Sequence, residues 1–92
     1  MNVTAQFHGI LADWVGTQSA GFRLSPKAFL ADLTIEIWRR YRQNMPEQLW
    51  DKEKGTFNGR VLAVGSDGNP RSLEDPLTES EEIKFFLMLS GG

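Results

Sequence analysis

Few side chains in this sequence could act together as nucleophile, base or metal ligand. The chain has no cysteine and one histidine, His8. That excludes a thiolate nucleophile, a disulfide framework, a thiolate metal site and any two-histidine chemistry. It also excludes carrying sulfur as a persulfide on the chain itself. The stretch that could do chemistry is the last one, Phe85-Phe86-Leu87-Met88-Leu89-Ser90-Gly91-Gly92. Its reactive group would be the main-chain carboxylate of Gly92. Glycine has no Cβ, so Ser90-Gly91-Gly92 can approach another surface closely. Extended, these three residues span about 10 Å. That is enough to thread a narrow channel and present a carboxylate to an active site in a partner. With glycine at about 7% of residues, a Gly-Gly pair falls at a given place in about one chain in 200. The apolar run in front of it therefore carries more weight than the dipeptide.

The residues before the tail read as a strand with two apolar faces. Ile83, Phe85, Leu87 and Leu89 share one face; Glu82, Lys84, Phe86 and Met88 share the other. A sheet with one covered face normally shows polar residues on its open side. Glu82 and Lys84 follow that rule, whereas Phe86 and Met88 break it. Exposed aromatic and methionine side chains in one patch mark a protein-binding surface. Phe86 and Met88 are the expected partner-binding residues. The competing reading is that the 44–59 stretch covers them.

The upstream sequence supplies the elements that must position this strand. Val3, Ala5 and Phe7 alternate with Thr4, Gln6 and His8; Ala20, Phe22 and Leu24 repeat the period-two pattern. The two predict a hairpin with a long loop, in which Ile10, Leu11 and Trp14 form a short helical turn. His8 and Arg23 are expected as ordinary exposed strand residues. Ser25-Pro26 predicts a helix start, with Ser25 as cap and Pro26 at the first position. Leu30, Leu33, Ile37 and Tyr41 then make one apolar stripe on a helix of about 16–18 residues. Arg39, Arg40 and Arg42 read as its solvated face. Residues 44–59 read as an irregular charged segment anchored by Trp50. Arg60 to Val64 reads as a strand, Leu73 and Leu77 as core contributors, and Glu79, Glu81 and Glu82 as a solvated acidic turn.

The predicted order is strand, strand, helix, strand, turn region, strand. An α+β domain accounts for it: a mixed four- to five-stranded sheet with one main helix on one face, the β-grasp or ubiquitin-like arrangement. Residues 1–92 are expected to form one domain, with 90–92 as a tail.

Composition narrows the function classes. The 92 residues include 24% charged and 40% hydrophobic residues, with a net charge of −2, so nothing points to nucleic acid. No apolar run approaches a membrane span, and no signal-peptide pattern opens the chain. The default expectation is a cytoplasmic domain.

The stretch Glu74 to Gly92, EDPLTESEEIKFFLMLSGG, resembles the MoaD/ThiS-type sulfur-carrier proteins, most nearly the branch of the molybdopterin synthase small subunit. Asp75, Pro76 and Leu77 match that branch's Asp-x-Pro-Leu motif in a form one residue tighter. Ile83, Phe85, Phe86, Leu89, Ser90, Gly91 and Gly92 match its strand and tail. Leu87 and Met88 stand where the branch usually has two prolines, which leaves the acceptor pathway open. The thiazole pathway of thiamine synthesis is the alternative within this class. The resemblance implies that a ubiquitin-activating-type enzyme uses ATP and Mg²⁺ to adenylate Gly92. A thiocarboxylate follows, and a sulfur-accepting synthase subunit receives the sulfur. It also implies that this chain binds no cofactor or metal and is no enzyme alone, although it could be the small subunit of one. Two other classes remain at this point: a ubiquitin-like modifier joined to proteins through Gly92, and a non-reactive interaction domain.

Overall fold

The computed structural model describes residues 1–88. In chain order its elements are β1 (Asn2–Phe7), α1 (Ile10–Val15), β2 (Ser19–Arg23), α2 (Leu30–Tyr41), β3 (Trp50–Asp51), β4 (Thr56–Phe57), β5 (Val61–Val64) and β6 (Glu81–Leu87). Single 3-10 turns occupy Arg42–Asn44 and Glu47–Leu49. Four strands form one mixed sheet in the order β2-β1-β6-β5. The β1–β2 and β5–β6 pairs are antiparallel, whereas β1 and β6 run parallel at the centre. The β3–β4 pair stands apart as a two-stranded ribbon, so the main sheet has four strands.

Alternation in the strands sets which face α2 covers. Val3, Ala5 and Phe7 are buried, and so are Ile83 and Phe85 on the neighbouring strand. On α2, Leu30, Leu33 and Ile37 are each 1% exposed or less, as the stripe predicts. Thr34, also buried, returns its hydroxyl to the Ala31 carbonyl at 2.7 Å, so no polar atom is stranded there. In the first hairpin loop, Leu11 and Val15 of α1 pack inward while Ile10 is 45% exposed. The predicted turn is present, but Val15 replaces Ile10 as its inward contact.

The start of α2 differs from the sequence expectation. Ser25 to Ala28 forms a turn closed by the Ala28 N–H on the Ser25 carbonyl at 3.1 Å, and the helix begins at Leu30. A Ser-Pro pair serves a turn as readily as a helix start, because proline presets φ for either. What decides is the supply of acceptors for the free N–H groups of a helix's first turn. The Asp32 carboxylate accepts from the Phe29 N–H at 2.8 Å. The carbonyls of Asp75 and Leu73 accept from Leu30 and Ala31, each at 2.9 Å. The 12-residue helix is thus shorter than predicted, and its cap comes from a distant segment.

That cap gives the Asp75-Pro76-Leu77 motif its structural work. Asp75 turns its carboxylate back onto the Ser72 N–H at 2.9 Å. Leu77 donates its N–H to the Ala28 carbonyl at 3.0 Å and buries its side chain. The chain entering β6 is therefore stitched to the front of α2.

Residues 44–59 are more ordered than an irregular segment. In the β3–β4 turn the Asp51 carboxylate accepts from the Glu53 and Lys54 N–H groups at 3.0 and 3.1 Å. Gly55 completes it at φ +67°, a conformation that disfavours any residue with a Cβ. Trp50 anchors the ribbon, stacked on Trp38 of α2 with centroids 4.9 Å apart and an 8° tilt. Phe57 meets both indoles edge-on.

Two charged groups expected in solvent are engaged. The Arg40 guanidinium lies 4.0 Å over the Phe22 ring and donates to the Gly21 carbonyl at 3.2 Å. Glu81, in the acidic turn, has a side chain only 8% exposed and pairs with Arg71 at 2.9 Å. Glu79 accepts the Asn2 N–H at 2.9 Å, and Glu82 is exposed as expected.

Candidate functional site

The candidate site is the end of β6 and the surface beside it. β6 has a partner strand on each side, and those partners hold it to its last described residue. The His8 N–H donates to the Phe85 carbonyl at 3.1 Å from the β1 side. The Met88 N–H donates to the Arg60 carbonyl at 2.6 Å from the β5 side. Side chains fasten the strand as well. Phe85 is 1% exposed and stacks on Phe7, centroids 6.1 Å apart. Burial of a phenylalanine this complete is worth about 2–3 kcal/mol, so the strand's core face is firmly fixed.

The opposite face carries the predicted patch. Phe86 alternates away from the core and pairs across the ladder with Leu62. The His8 ring lies flat against it, centroids 4.6 Å apart and 14° from parallel. Met88 is 49% exposed. The ribbon of residues 50–57 packs its aromatics against Trp38 and Phe85, on the helix side of the sheet. Phe86 is thus half-buried and Met88 exposed, and of the 44–59 stretch it is Pro46, Gln48 and Leu49 that share a cleft with Met88.

Beside Phe86 the structure places His8 and Leu62. His8 is exposed, as expected, and its ring stacks on Phe86. Leu62 was not singled out, although the alternation of Val61, Leu62, Ala63 and Val64 holds the signal that it faces away from α2. Arg23 shares this face in register with Asn2, at the opposite end of β1 from His8. Leu89, Ser90, Gly91 and Gly92 lie outside the described residues, and the roles expected of them rest on sequence.

The described residues hold no cluster of three or more histidine or carboxylate side chains suited to a metal ion. No described helix is long and apolar enough to cross a membrane.

No protein-family model and no curated protein matches the chain. Solved structures match it over nearly the whole length of both chains. The small archaeal modifier protein 1 of Haloferax volcanii superposes with a TM-score of 0.83 at 14% identity, covering 100% of each chain. The protein of the same name from Methanosarcina acetivorans gives 0.76 at 22% identity, covering 99% of this chain and 96% of that one. A Pyrococcus furiosus protein described as molybdopterin converting factor, subunit 1, gives 0.75 at 17% identity, covering 97% and 99%. The fold is the ubiquitin-like β-grasp. These neighbours agree with the MoaD/ThiS-type resemblance read from Glu74 to Gly92. At such identities the likeness is one of fold. In this β-grasp, the sheet's central parallel pair is what carries β6 out to the tail.

Proposed function

We propose that this chain is a sulfur carrier that acts through the carboxylate of Gly92, in the synthesis of a sulfur-containing cofactor, molybdopterin before thiazole. The observation that supports this reading most is the exit of β6. A strand clamped on both sides carries half-buried Phe86 and Leu62 with exposed His8 and Met88 immediately before Leu89-Ser90-Gly91-Gly92. A partner docked on the patch would find the tail within reach of its own active site. The fold likeness to a molybdopterin converting factor subunit is compatible with the same reading.

The chemistry is that of carboxylate activation. A carboxylate is a poor electrophile because its leaving group would be an oxide. Attack of the Gly92 carboxylate on the α-phosphorus of ATP releases pyrophosphate and forms an acyl adenylate. A sulfur nucleophile such as hydrosulfide then adds to the carbonyl carbon and AMP departs. The product is a thiocarboxylate, which gives its sulfur to an acceptor and returns as carboxylate. ATP and Mg²⁺ belong to a ubiquitin-activating-type adenylyltransferase, and the acceptor to a synthase subunit. This chain contributes the docking surface (Phe86, Met88), the approach (Ser90, Gly91) and the reacting group (Gly92). The setting is cytoplasmic.

A second reading has a specific observation in its favour. Two of the neighbours are modifier proteins by name. In that reading the same adenylate is passed to lysine amines of other proteins. Isopeptide-linked conjugates recovered from cells would favour it, and a thiocarboxylate pool without conjugates would favour the carrier. Deletion of Gly92 tests what both readings share. It is expected to abolish modification and leave the fold unchanged; modification retained by the shortened chain would overturn the assignment.

A further inference from the structure

The docking surface has a charge pattern of its own. Lys84 lies between Ile83 and Phe85, which are 0% and 1% exposed, so its side chain takes the open face beside Phe86. Arg60 is exposed and stands opposite Met88 across the ladder. Among the described residues neither cation is in an ion pair; the ion pairs join Arg39 to Glu36, and Arg71 to Asp67 and Glu81. Glu82, two residues before Lys84, is the carboxylate of β6 on this face, one strand step farther from Phe86. Two cations thus flank the apolar patch of a chain whose net charge is −2. Next to the patch, at the end of the sheet, Arg60 and Met88 also border a cleft of about 440 Å³ whose other walls are Trp14, Pro46, Gln48, Leu49 and Leu87; Phe86 and Lys84 do not line it.

We infer that this surface receives a protein segment that is acidic and apolar at once. Apolar side chains of the partner meet Phe86 and Met88, and carboxylates beside them meet Lys84 and Arg60. The inference rests on the docking role proposed above and names the partner's chemistry. Apolar burial supplies the affinity, whereas the two cations supply steering and discriminate against basic partners. A nucleic acid is disfavoured: two cations beside Glu82 on a net acidic chain release few counterions.

The test is a titration of the full, ¹⁵N-labelled chain with two synthetic peptides. One alternates glutamate and leucine around a central phenylalanine; the other replaces every glutamate by lysine. The acidic peptide is expected to shift the amides of residues 60–62 and 84–88 and to bind about tenfold more tightly than its counterpart. That preference should fade between about 0.01 M and about 1 M salt, as the screening length falls from about 30 Å to about 3 Å. The double variant Lys84→Glu, Arg60→Glu should keep a folded spectrum and prefer the lysine peptide. Equal binding of the two peptides, shifts confined to other residues, or no shifts with either would overturn the inference. So would the same shifts produced by oligouridylate. Thiocarboxylate formation at Gly92 is read in a separate assay, so failure here leaves the carrier reading standing.

Discussion

His8 and Phe86 stack face to face on the open side of the sheet, ring centroids 4.6 Å apart and 14° from parallel. The contact joins the ends of the two central parallel strands just where β6 leaves the sheet. In the docking role proposed above, Phe86 stacked on His8 would be the interface's aromatic anchor. Phe86→Asp is expected to weaken docking of an activating enzyme or synthase subunit by about 1–3 kcal/mol. Thermal melting should barely change, because the ring is outside the core. Titration calorimetry with either partner checks this; unchanged affinity would place the interface elsewhere.

Phe85, one residue away, gives the opposite result. It is buried against Phe7 and near Phe57. Phe85→Ala should cost about 3–5 kcal/mol of stability through the cavity left behind. Denaturant unfolding of the two variants side by side separates an anchor from a core residue at adjacent positions.

Arg71 reaches Glu81 across Gly65, and the glycine is what leaves room. A Cβ at Gly65 would fall 2.4 Å from the Arg71 Nε. Gly65→Ala should therefore displace the guanidinium, break the 2.9 Å pair and destabilise the fold by about 1–3 kcal/mol. With Arg71→Ala already present, the same substitution should cost far less. A double-mutant cycle measures that coupling, and simple additivity would contradict the account.

Ser80 sits at φ +64°, a left-handed conformation that disfavours side chains branched at Cβ. Its N–H is tied to the Asn2 carbonyl at 2.7 Å, so the turn cannot relax without loosening β1. Ser80→Val should cost about 1–3 kcal/mol, and Ser80→Gly should be neutral or slightly stabilising. The melting temperatures of the two variants check the prediction; equal effects would mean the backbone strain is not felt.

Much of the fold was legible because periodicity records burial. The alternation in β1 and β6 and the stripe on α2 named Val3, Ala5, Phe7, Leu30, Leu33, Ile37, Ile83 and Phe85, all buried. The alternation of β6 also marked Phe86 and Met88 as rule-breakers; in the structure Phe86 is half-buried beside His8 and Met88 is exposed. What the sequence hid was set by distant partners. Ser25-Pro26 marks a turn because the acceptors for the first turn of α2 come from Leu73 and Asp75. Glu81 looked solvated because its partner, Arg71, is ten residues upstream. The stack of His8 on Phe86 joins two strands far apart in sequence, so only the exposure of His8 was legible. The β3–β4 ribbon was obscured by charged residues that form its turn, with Asp51 collecting the backbone N–H groups. The tail's role stays a reading of sequence, since its atoms lie past the described residues.

The central claim is that the carboxylate of Gly92 is the reacting group. Intact-mass spectrometry of the full chain tests it most directly, after incubation with its activating enzyme, ATP, Mg²⁺ and a hydrosulfide source. The account predicts a mass change equal to exchange of one oxygen for sulfur, located by fragmentation at Gly92 and absent without ATP. An unchanged mass, with an enzyme shown to be active by ATP–pyrophosphate exchange, would contradict it.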